Sequence, residues 1–132
     1  MKILIFSFLF ITLLSCNSGY KKADDAQDAG RQFIRAELDG DIDKATFYLL
    51  KDTTNLSIIT KWKQGYDALS SDEKHAYRNA EIRPVKIEMQ PDSTWEYVFT
   101  NSYQQKDTTV IDVVNTKEGW LVDLKYLHKW TP

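Results

Sequence analysis

Trp95-Glu96-Tyr97-Val98-Phe99-Thr100 is the stretch that decides the fold of this chain. Trp95, Tyr97 and Phe99 alternate with Glu96, Val98 and Thr100, a period of two that belongs to a strand with one aromatic face. Upstream, Val85, Ile87 and Met89 alternate with Lys86 and Glu88, and Pro84 marks a strand start or a sheet edge. Gln90-Pro91-Asp92-Ser93 turns the first strand into the second, predicted over Thr94 to Tyr103. Gln104 to Asp107 turns into a third strand, Thr108 to Asn115, and Thr116-Lys117-Glu118-Gly119 turns into a fourth, Trp120 to Tyr126. Short loops between successive strands make a four-stranded antiparallel meander.

Before Ala80 the period is helical. Ala26, Ala29, Phe33 and Ala36 fall on one helix face, widened by Ile34 and Leu38, which predicts a first helix over Ala23 to Asp39. Asp24 and Asp25 suit its first turn, and Gly40 suits the left-handed position after it. Asp41 caps a shorter helix through Leu50 that buries Ile42, Ala45, Tyr48 and Leu49. Asp52 to Asn55 breaks the pattern, and a third helix over Leu56 to Leu69 buries Ile59, Trp62 and Tyr66. Ser70 and Glu73 have capping-box spacing and start a fourth helical turn ending near Tyr77. Helices first and strands afterwards give an α+β domain with helices covering one sheet face.

The chain opens with Lys2 and a continuous apolar run, Ile3 to Leu14, broken by Ser7 and Thr12. A run of about twelve residues is too short to span a bilayer and has the length of a signal-peptide core. It ends in Leu13-Leu14-Ser15-Cys16, which resembles the bacterial lipobox. The resemblance implies that Cys16 becomes the first mature residue, with diacylglycerol on its sulfur and an acyl chain such as palmitate on its amine. Two or more chains anchor a protein stably where one does so marginally. Residues 1–15 then form the signal peptide, 16–22 a lipidated tether whose six residues Asn17 to Lys22 reach about 20 Å when extended, and 23–132 one domain. Asn17 in place of Asp resembles an outer-membrane sorting signal, and Lys22-Ala23-Asp24-Asp25 resembles the acidic export tags of surface lipoproteins. The protein is therefore expected in a bacterial cell envelope, on the outer membrane, with its periplasmic or surface face left open.

Composition narrows the function classes. Without Lys2 the mature chain has 16 basic and 19 acidic side chains, a formal charge of −3. No basic patch or stripe is present, which argues against nucleic acid as partner. Cys16 is the single cysteine, and His75 and His128 follow no metal-ligand spacing. Thiol catalysis and a Cys/His zinc site are thus excluded, and no cofactor motif, glycine-rich phosphate loop or nucleophile elbow is found.

Two short motifs carry a second resemblance. A first helix ending in Gly40-Asp41-x-x-Lys44-Ala45, followed by a meander ending in Gly119-Trp120-Leu121-Val122-Asp123, is similar to small bacterial lipoproteins of unknown function. Those proteins are described as lumazine-binding-like and grouped with the nuclear transport factor 2-like fold. The resemblance implies helices packed inside a strongly curved sheet, forming a cone with a pocket, and a sheet through which homodimers form. Enzymes, binding domains and inert scaffolds share that fold, so it does not choose a function.

Loop lengths suggest a register. A loop at Thr116 to Gly119 pairs Asn115 with Trp120 and sets Asp112 opposite Asp123. A loop at Gln104 to Asp107 pairs Tyr103 with Thr108 and sets Phe99 opposite Asp112. One face would then carry Tyr97, Phe99, Asn101, Val110, Asp112, Leu121 and Asp123. On a concave face, Asp112 and Asp123 form a pocket acid pair, one carboxyl raised by its neighbour and by desolvation. On a convex, wet face they are surface groups screened by Lys125, Lys86 or Arg83, and a one-residue slip would part them. Trp62 and Tyr66 suit a buried helix face and could also wall the pocket.

Three functions fit. The first is a non-catalytic, membrane-displayed module binding a small apolar ligand or a protein through Trp62, Tyr66, Tyr97, Phe99, Asp112 and Asp123. The second is a small hydrolase or isomerase using the Asp pair. The third is an inhibitor or immunity-type protein whose sheet face pairs with another chain.

Overall fold

The structure is a computed structural model that describes residues 19–103 and 107–129, the last two by backbone alone. The signal segment, Cys16 and Asn17 lie outside the described residues. Four helices precede four strands: α1 (Ala26–Asp39), α2 (Ile42–Phe47), α3 (Thr53–Asp67), α4 (Ser71–Arg78), β1 (Ile82–Met89), β2 (Trp95–Asn101), β3 (Thr109–Thr116) and β4 (Gly119–Lys129). The strands form one antiparallel sheet in the order β1-β2-β3-β4, with the helices on one face. The sheet is not strongly curled or closed, so the expected deep cone is corrected to helices lying on a flatter sheet. Among the described residues no helix is long and apolar enough to cross a membrane.

Each helix begins where a side chain accepts an otherwise unpaired amide. Asp25 accepts from Asp28 N at 2.7 Å, Asp41 from Lys44 N and Asp52 from Asn55 N, both at 2.9 Å. Ser70 and Glu73 close a capping box at the start of α4. Asp52 to Asn55, expected to interrupt the helices, instead cap and open α3. α1 ends at Gly40 with φ 72°, and a Cβ there would stand 2.3 Å from the Tyr66 ring. Only glycine gives both the left-handed backbone and the room for α3 to close on α1.

α1 is the central packing element. Ala29, Phe33 and Ala36 are fully buried against a sheet face made of Tyr97, Phe99, Ile111, Val113, Val122 and Leu124. A Cβ on Gly30 would come within 3.2 Å of Tyr97, so the helix lies close over that ring. Tyr20 also docks on the domain, its ring 5.6 Å from Phe47, and the Tyr48 hydroxyl donates to Lys21 O at 2.7 Å. The expected free tether is thus shortened at its domain end.

The β3–β4 register follows the tight turn, with Asn115 opposite Trp120 and Asp112 opposite Asp123. The β2–β3 register differs from the expected one by three residues. Phe99 pairs with Thr109, Tyr97 with Ile111 and Trp95 with Val113, while Asp112 faces Glu96. An odd slip exchanges the faces, so Tyr97, Phe99 and Asn101 lie on the helix side and Val110, Asp112, Leu121 and Asp123 on the other. Burial decides this: the observed pairing brings Tyr97, Ile111 and Val113 to the core together, whereas a four-residue loop would set Asp112 among them. The connection from Ser102 to Thr108 lengthens to allow it.

β4 is not a free edge. Val122 N donates to Tyr48 O and Leu50 N to Val122 O, both at 2.8 Å, forming a parallel bridge through Leu49. Just beyond, the fully buried Asn55 accepts from Leu124 N at 2.8 Å and donates to Asp123 Oδ1 at 3.1 Å and Asp52 Oδ2 at 3.2 Å. Replacing Asn55 with Ala would orphan the Leu124 amide and strip Asp123 of a donor. The expected loss is about 2–4 kcal/mol, read as a lowered urea midpoint with an unchanged m-value. A loss within about 0.5 kcal/mol would show that water replaces the amide there.

Candidate functional site

Between the helices and the sheet the structure leaves a hollow of about 220 Å³. From the helices come Ile34, Glu37 and Leu38 of α1, Trp62 of α3 and Tyr77 of α4. From the sheet come Phe99, Asn101, Thr109, Ile111, Leu124 and Leu127. One local irregularity shapes its rim. Asp112 pairs with Asp123 while Val110 pairs with His128, so Leu124 to Leu127 of β4 stand against the single residue Ile111 of β3. That bulge places Leu124 and Leu127 at the hollow and leaves Leu127 exposed. Bulges of this kind re-aim side chains where a sheet meets a site.

Glu37 is the chemically distinctive residue. Its half-buried side chain lines the hollow, and among the described residues it makes no hydrogen bond or salt bridge. Desolvation by the surrounding protein pushes its carboxyl up to about 8, so near neutral pH it holds a proton and can donate. Tyr77 shares the hollow, and its phenol is raised by burial first, then by Tyr103, Glu73 and Glu37. The aromatic wall continues outward: Trp62 lies 5.5 Å from Tyr66, Tyr66 6.2 Å from Tyr77, and Tyr77 4.3 Å from Tyr103.

The residues singled out from sequence divide among different places. Trp62 and Phe99 line the hollow. Tyr66 and Tyr97 do not; both are buried, and their hydroxyls find no hydrogen-bond partner among the described residues. Asp112 and Asp123 are brought together, but on the opposite sheet face, in a broad open basin of about 510 Å³ that also includes Glu96, Asp92 and Tyr126. There Asp123 is held by Asn55 and by Lys125, whose Nζ lies 3.4 Å from Oδ2 and 2.9 Å from Asp52. The aromatics and the acid pair expected together are on opposite sides of the sheet. Among the described residues no group of three or more His, Cys, Asp or Glu is arranged to hold a metal ion.

No family model, curated protein or solved structure matches the chain. The site therefore stands on its own chemistry.

Glu37 and Asn55 were absent from the sequence candidates. Glu37 had a legible signal, since it follows Phe33 by four residues and Ile34 by three and so lies on the apolar stripe of α1. A carboxyl in that stripe is costly to bury and marks a site. Asn55 had none, because its partners on β4 lie 68 and 69 residues away.

The Glu37 shift carries a stability signature. Its carboxyl binds a proton more tightly in the folded than in the unfolded chain. Stability is therefore fully present below the ordinary carboxylate range and falls as pH rises towards about 8. The slope is at most about 1.4 kcal/mol per pH unit. Denaturant unfolding of Glu37→Gln should lack that slope, so the variant gains on the parent as pH rises. Parallel stability curves would mean that Glu37 ionises alike in both states.

Proposed function

We propose that this chain is a lipid-anchored, extracytoplasmic binding module that takes a small, largely apolar molecule carrying one polar group into the hollow around Glu37. The observation that carries this reading is a carboxyl without a hydrogen-bond partner among the described residues, in a hollow lined mainly by apolar and aromatic side chains. Ligand sites have this composition, an apolar wall with a few placed polar groups that fix orientation. Glu37, Tyr77, Asn101 and Thr109 supply those groups, and Trp62 and Phe99 supply the aromatic wall.

Kinship with the nuclear transport factor 2-like domains belongs to the same proposal. Its support is the helix ending at Gly40-Asp41, the four-stranded meander after the helices, and a hollow between the two. The lipid anchor rests on the apolar run from Ile3 to Leu14 and on Cys16, and display on the outer membrane on Asn17 in place of Asp. An enzyme using Asp112 and Asp123 has less support, because Asp123 is tied to Asn55 and Lys125. An inhibitor-type role would use the exposed Val85, Met89 and Tyr126, and a homodimer through the sheet would use the same surfaces.

Two measurements test the reading. A fragment screen followed by amide and indole NMR should cluster its shifts at Trp62, Tyr77 and Phe99. Shifts confined to the groove of Phe47, Lys51 and Trp120, or to the Asp112 basin, would move the site elsewhere. In a Gram-negative host, labelled palmitate should enter the full chain and fractionate with membranes. Cys16→Ser should abolish both, and an unlabelled parent protein would overturn the anchor.

A further inference from the structure

We propose that the ligand of the hollow is a small organic cation, an ammonium on a compact hydrocarbon body, with Glu37 as its counter-charge and Trp62, Tyr77 and Phe99 as its aromatic wall. This rests on the reading of the hollow as a ligand site.

The charges around the hollow point to a cation. Glu37 is the one acidic side chain among its described lining residues, and no basic side chain is among them. Among the described side chains, the bases on the surrounding elements are paired elsewhere or exposed, Lys61 of α3 among the exposed ones. Arg35 of α1 bonds Asp39 and the Ala80 carbonyl, and Lys63 of α3 pairs with Asp67. On α4, Lys74 stands 5.8 Å over the Tyr66 ring, His75 bonds Asn79 and Arg78 is exposed. Lys125 of β4 is held by Asp52 and Asp123. The titratable groups acting beside Glu37 are Tyr77 and, through it, Tyr103 and Glu73. None of these supplies a positive charge.

The chemistry then separates the ligand classes. An anion would meet a carboxyl with no compensating base. A neutral ligand needs one hydrogen bond, which an amide or hydroxyl could give without the desolvation of an acid. An ammonium uses both features present, since it turns the carboxyl into half of an ion pair and lies against aromatic faces that attract cations. Size sets a further limit. About 220 Å³ falls below the roughly 300–1,000 Å³ of drug-sized clefts, so the body must be compact.

Binding of such a cation displaces the Glu37 proton, so affinity should rise with pH as long as the ligand stays charged. The probes are cyclohexylammonium and its neutral counterpart cyclohexanol, titrated into the full soluble domain at about pH 6 and pH 9 and followed at the Trp62 indole. The expected result is ammonium binding at least about tenfold tighter at the higher pH, with release of a proton detected calorimetrically in buffers of different ionisation heat. Glu37→Gln should lose the pH dependence and most of the affinity. Trp62→Leu, which keeps the carboxyl, should weaken the ammonium more than cyclohexanol. If cyclohexanol binds as well as the ammonium, and neither responds to pH or to Glu37→Gln, the cation is overturned and the binding site stands. If neither probe moves the Trp62 signal, the hollow is not a ligand site and both readings fall. Both variants are checked for a cooperative thermal transition, and the parent's proton release reads the proposal without any variant.

Discussion

Asn55 joins the two halves of this molecule. One side chain accepts the Leu124 amide, donates to Asp123 and Asp52, and sits at the first turn of the helix that Asp52 caps. With the Leu49 bridge beside it, it fixes where the helical half meets the sheet half. The rest follows from that attachment. α3 is held at its start, so Tyr66 lands over Gly40 and Trp62 reaches the hollow. β4 is held at Leu124, just where its register with β3 breaks and the chain bulges. A buried amide bonded at both ends in this way specifies one arrangement, because any shift leaves a polar group unpaired.

Asp123, which is buried, and Glu37, which is half-buried, show opposite solutions to one cost. Asp123 is surrounded by donors, from Asn55, the Lys125 amide and the Lys125 ammonium. Its charge is compensated within the fold and serves the architecture. Glu37 meets apolar and aromatic groups and retains its proton instead. A fold needs the first kind of acid for itself, whereas the second kind adds nothing to packing that a leucine would not add better. That contrast is why the candidate site moved from the acid pair to a residue of α1.

How much was legible follows from the range of the interactions involved. Helix starts at Asp41 and Ser70 are written within four residues, and the Asn115–Trp120 pairing within a tight turn, so both could be read directly, whereas Asp25, expected inside the first turn of a helix from Ala23, is the cap of one that starts at Ala26. The β2–β3 register could not, because it is set by which apolar residues reach α1 and not by the loop between the strands. Assuming a four-residue loop put Phe99 beside Asp112 and joined the aromatics to the acid pair. Trp62 and Phe99 are legible as ligand-contacting aromatics, whereas Glu37, on the same stripe as Phe33, is not among the sequence candidates. The flatter sheet was equally beyond the sequence, since curvature depends on bulges that alternation alone does not reveal.

The two sides of the sheet are unequal in a way that limits self-assembly. Tyr48 to Leu50 and Asn55 occupy the outer backbone groups of β4 at Val122 and Leu124. β1 has no such cover among the described residues, and it carries Pro84, a register shift at Val85 and the charged neighbours Lys86 and Glu88. An endless cross-strand ribbon requires two open flanks on every copy. Cover at the middle of β4 turns joining towards β1, flank to flank, and a pair made that way offers no matching flank for further growth.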